Sequence, residues 1–80
     1  MGSDYYGDAM EIAEALASEG RAAEAEAIRT TVSQGSTATE ILMGVRWHLR
    51  NLIENRAILR RETADRVSRL LTQLDAELSA

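Results

Sequence analysis

Cysteine, proline, phenylalanine and lysine are absent from this 80-residue chain, and histidine and tryptophan occur once each. Without cysteine no disulfide or thiolate metal site can brace the fold, a composition that fits a reducing cytoplasm. No stretch approaches the roughly eighteen consecutive apolar residues of a membrane-spanning helix. The N-terminus has no charged region leading into an apolar one, so no secretory signal is expected. Met1-Gly2-Ser3 resembles the opening of a myristoylation signal, but Tyr6 stands where that signal has Ser or Thr, and the three residues equally fit an expression remnant.

Enzymatic readings fail for lack of parts. There is no thiol nucleophile, no Ser-His-acid order with a supporting Gly-rich turn, and no phosphate-cradling Gly loop. Paired carboxylates exist, but nothing suggests a pocket that would separate their pKa values. His48 has no Glu-x-x-His or His-x3-His neighbour, so a metal site would need carboxylates for every other ligand. A histidine bordering the core and bonded to Asn or a backbone carbonyl is the expectation, with no cofactor and no metal.

What is present is helical. Hydrophobic residues make up 45% of the chain, but thirteen of them are Ala. Glycine falls at positions 2, 7, 20, 35 and 44, and Gly20 and Gly35 are the natural breaks. At about 100° per residue, Tyr5, Ala9, Ile12, Ala13, Leu16 and Ala17 gather on one side of residues 5 to 18, with Asp4, Asp8, Glu11 and Glu14 on the other. Ala25, Ile28 and Val32 form a narrow stripe on residues 21 to 33. The link at Ser18 to Arg21 allows only an antiparallel hairpin. The spacing of Ile12, Ala13, Leu16, Gly20 and Ala25 resembles one tetratricopeptide hairpin, but any tight helical hairpin wants those positions, and the second half does not repeat them.

Thr37 and Glu40 have the spacing of a capping box and predict a helix over 38 to 55, with Gly35 closing the preceding helix in a left-handed conformation. Ile41, Leu42, Val45, Leu49, Leu52 and Ile53 form its main stripe, in which Leu49 and Leu52 are central. Residues 56 to 61 read as a break, and Ala64, Val67, Leu70, Leu71, Leu74 and Leu78 define a helix over 62 to 78. The expected fold is one all-α domain over 1–80, a four-helix bundle whose N-terminal hairpin joins two longer, more hydrophobic helices. The larger apolar side chains are concentrated after residue 36, so that half is expected to supply most of the core.

The third helix is apolar on a second face. Met43 and Trp47 sit one turn apart roughly opposite the main stripe, with Gly44 and Asn51 on the adjoining arc. Two readings stand side by side: a self-association or partner surface, since Trp and Met favour interface centres and Gly permits close approach, or core packed against the first two helices. The ridge of Asp4, Asp8, Glu11 and Glu14 reads first as a solvated face and otherwise as a surface for a basic partner, with no Ca²⁺-loop spacing.

Net charge is −4, but residues 1 to 35 carry −5 and residues 36 to 80 carry +1, so the chain is electrically two-ended. Seven Arg lie between 46 and 69. They allow a nucleic-acid regulator as an alternative, although a recognition helix starting at Ala38 would expose Ile41, Leu42 and Met43 where base-reading polar groups belong. Pairing of some of these Arg with the acidic ridge, within the chain or, for Arg46 and Arg50, with the ridge of a second copy, is the simpler fate. The reading from sequence is a small non-enzymatic bacterial interaction module, a regulator, adaptor or toxin-neutralising partner, acting as a homodimer in the cytoplasm. A second alternative is an accessory subunit of a larger enzyme.

Overall fold

Asp4 opens the first helix by accepting a hydrogen bond from Gly7 N at 2.9 Å, which satisfies one of the amides that a helix start leaves without a partner. In the computed structural model, which describes residues 4 to 79, this helix, α1, spans Tyr5–Ser18. It is followed by α2 (Ala22–Gln34), α3 (Ala38–Glu54) and α4 (Arg61–Ser79). The chain is all-α, and the helix boundaries fall close to those expected. Met1-Gly2-Ser3 lies outside the described residues.

Each helix packs mainly on two neighbours, α1 on α2 and α4, α3 on α2 and α4, so the four form a closed square. Tyr5 meets Glu77, Glu11 meets Arg66, and Glu19 meets Arg60 and Thr63, which makes α1 and α4 antiparallel. The core is divided evenly. Ala9, Ile12, Ala13, Leu16, Ala25 and Ile28 come from α1 and α2, and Val45, Leu49, Leu52, Val67, Leu70 and Leu74 from α3 and α4. The division is even only in number: Ala9, Ala13 and Ala25 are small, so the second half supplies most of the larger core side chains, as expected. Small Ala side chains fill α1 and α2 by close approach, while Met43, Trp47, Ile53 and Ile58 from the second half remain exposed.

The helix ends explain the corners. After α1, Gly20 takes φ +82°. Arg21 N donates to Leu16 O at 2.9 Å and Gly20 N to Ala17 O at 3.2 Å, a Schellman closure. Gly35 is different from expectation: it is extended, at φ −67° and ψ 143°. A side chain there would come within 2.2 Å of Ile41 Cγ1, so glycine is required for the close passage of α3 and not for a left-handed turn. Thr37 caps α3, its Oγ1 accepting from Glu40 N at 3.1 Å. The reciprocal arm of the box is absent among the described residues, which leaves the Glu40 carboxylate pointing elsewhere.

α4 borrows its cap. Glu19, just past the end of α1, accepts from Arg60 N at 2.7 Å with one oxygen and from the hydroxyl of buried Thr63 with the other. The amide just before α4 and a hydroxyl of its first turn are thus both met by a carboxylate from the end of α1. Those hydrogen bonds hold the Glu19 carboxyl below its usual range, the Thr63 hydroxyl contributing most.

Candidate functional site

α3 places the candidate residues on different sides of itself. Met43 and Trp47 point outward, 49% and 63% exposed. Gly44 turns toward α2, where an added Cβ would lie 2.6 Å from Thr31 Cγ2, so it serves the α2–α3 contact inside one chain. Asn51 is half-buried beside α2 and accepts a long hydrogen bond from Asn55 at 3.4 Å. Ile53, expected on the buried stripe, is 47% exposed. It lies on the edge of that stripe away from α2, where the last turn of α3 leaves it uncovered.

Thr31 cannot turn away from Gly44. Its hydroxyl donates to Ala27 O at 2.9 Å and lies 3.0 Å from His48 Nε2. Since the hydroxyl proton goes to Ala27, the imidazole must donate from Nε2, which fixes the neutral tautomer and leaves Nδ1 for a second proton. Burial lowers the His48 pKa from the ordinary 6.5. The His48 ring stands edge-on to the Trp47 indole at a centroid distance of 5.1 Å. The expected core-bordering histidine is seen, with Thr31 as its partner in place of Asn or a carbonyl.

Between α2 and α3 runs a groove of about 610 Å³. Ala23, Ala27, Ile28 and Leu52 give it an apolar floor, and Trp47 forms one wall. Arg56 and Ile58 close the far end. Ile58 is 89% exposed, the most exposed large apolar side chain among the described residues. It is held there by the way α3 ends: Arg56 has φ +53°, Ala57 N donates to Leu52 O at 3.0 Å and Arg56 N to Ile53 O at 3.0 Å. This is the same closure that α1 makes with Gly20, built here on a residue for which a left-handed backbone is costly. Strain of this kind persists where the surroundings dictate the conformation. Sequence reasoning did not anticipate Ile58 or Arg56, because the loop showed no periodicity.

The charged residues meet the expected intramolecular pairing at Glu11, while Arg46 and Arg50 take a partner outside the ridge. Arg50 pairs with Asp75 of α4 at 2.8 Å, and Arg46 lies 3.7 Å from the same carboxylate. Glu11 pairs with Arg66 at 2.9 Å. Asp4 is spent as the α1 cap, while Asp8 and Glu14 line furrows that also hold Arg66. The ridge is thus met in part by α4 of its own chain. Among the described residues no group of three or more His, Cys, Asp or Glu is placed to hold a metal, and no helix is long and apolar enough to cross a membrane.

No family model, curated protein or solved structure matches the chain.

Proposed function

We propose that the chain is a protein-interaction module that works as a homodimer through the outer face of α3. The observation that carries this reading is the pairing of Met43 and Trp47, exposed one turn apart beside an apolar groove that none of the described residues fills. A large indole left in water forfeits roughly 1.5 to 3 kcal/mol that burial would return. Clusters of Trp, Met and aliphatic side chains around a concave surface are what interface centres use. A regulator, adaptor or toxin-neutralising partner fits such a surface. The reading includes a bacterial cytoplasm, in keeping with Arg used to the exclusion of Lys and with the lack of Cys.

Intramolecular pairing weighs against the nucleic-acid alternative. Three of the seven Arg between 46 and 69 already face carboxylates of their own chain. The phosphate attraction of the stretch is reduced accordingly.

The test is mass in solution. Light scattering at micromolar concentration should give about twice the 8.8 kDa of one chain. Trp47→Ala should shift the mass toward monomer while leaving the helical circular dichroism unchanged, since the indole is outside the core. A chain that stays monomeric up to high micromolar concentration overturns the dimer.

A further inference from the structure

Glu40, Met43, Trp47, Arg50 and Glu54 follow one another along α3 at intervals of three and four residues, and all five are exposed. That spacing keeps a stripe turned toward one neighbouring helix along its length. In order, the stripe reads carboxylate, thioether, indole, guanidinium, carboxylate. The Glu40 carboxylate has no ion-pair partner among the described residues.

We infer that a second copy packs on this stripe with its α3 antiparallel, about a two-fold axis level with Val45. Met43 of each chain then lies on Trp47 of the other, and Glu40 of each pairs with Arg50 of the other. The inference rests on the self-association proposed above and adds its orientation and register. Both pairs are equidistant from position 45, so a single axis brings them together.

Charge selects this arrangement over its competitors. A parallel pair would set Glu40 on Glu40, Arg50 on Arg50 and Glu54 on Glu54. An antiparallel pair centred on Trp47 would set Glu40 against Glu54. Like charges at such positions repel, whereas the axis at Val45 opposes a carboxylate and a guanidinium twice. It also puts a thioether against an indole, a favourable contact, and brings Glu54 beside Ser36, near the positive start of the other α3.

Arg50 is free to do this although it touches Asp75. A guanidinium has five N–H donors. Arg50 is 48% exposed, and Asp75 also has Arg46 at 3.7 Å.

Charge reversal tests the register. Glu40→Arg or Arg50→Glu alone should weaken self-association about tenfold, since each reversal acts at two symmetry-related places, and the double variant should recover to within about threefold of the native chain. In the cysteine-free background, Glu40→Cys with Arg50→Cys should give a covalent dimer on oxidation. Within one chain the two positions are about 15 Å apart along the helix and cannot bridge. A native dimer that is indifferent to the single reversals, that fails to recover in the double variant, or that forms no covalent dimer overturns the register while leaving self-association intact. A native chain that never dimerises overturns both.

Discussion

Gly44 is a residue whose role comes from what it lacks. In an open helix, replacing Gly with Ala stabilises by about 1 kcal/mol. At Gly44 the new methyl would meet Thr31 Cγ2 at 2.6 Å. Thr31 is β-branched and tied through its hydroxyl to Ala27 and His48, so it has no alternative rotamer that keeps both bonds. Overpacking of this kind costs about 1 to 3 kcal/mol. Gly44→Ala should therefore destabilise by about 1 kcal/mol net, read as a lower midpoint temperature. Adding Thr31→Ser, which deletes the methyl and keeps the hydroxyl, should recover most of the loss. Recovery would tie the cost to this contact; an equal loss in both variants would place it elsewhere.

At the scale of elements, α3 starts sharply because Thr37 holds the Glu40 amide, and Thr37→Ala should cost about 0.5 to 2 kcal/mol in thermal or urea unfolding. Ser36→Ala should cost nothing measurable, because Ser36 makes no capping bond among the described residues. The four helices were legible in the sequence: apolar spacing and the breaks at Gly20 and Gly35 suffice to find them, and the stripe through Val45, Leu49 and Leu52 is the buried one. What could not be read depends on partners far along the chain. Thr63 looks like an ordinary surface residue until Glu19 is brought to it from 44 positions away. Gly35 signals a helix end equally well whether it turns left-handed or makes room for Ile41, and only the packing of α3 decides. Gly44 adjoins the arc of Met43 and Trp47 on a helical wheel, and only the position of α2 shows that it belongs to the α2 contact. Of the candidate surface, the exposed pair was legible, whereas the groove beside it needed the position of α2 and the Arg56 corner.

At the scale of the whole molecule, two groups among the described residues bind protons less readily folded than unfolded, and both act in the same direction. His48 is held below 6.5 by burial, so as pH falls through 6.5 the unfolded chain takes up a proton that the fold resists, and stability declines until the folded imidazole also protonates. Glu19 is held below 4.5, so its contribution is full above that value and is lost as pH falls through its folded pKa. Midpoint temperatures measured from neutral to acid pH should fall in two stages, the first beginning near 6.5 and the second below 4.5. His48→Gln should flatten the first stage, and Glu19→Gln the second while also lowering the midpoint at neutral pH. A profile that is level between about pH 7 and 5 would count against the partly buried, neutral imidazole. The same neighbourhood gives the molecule an optical consequence. In a single copy its one indole is still 63% exposed, so folding of the isolated chain dries only about a third of it and moves its emission little. It is instead a gauge of occupancy and protonation: a body covering the α3 face would dry the ring and move its emission to the blue, and a proton on the edge-on imidazole would dim it.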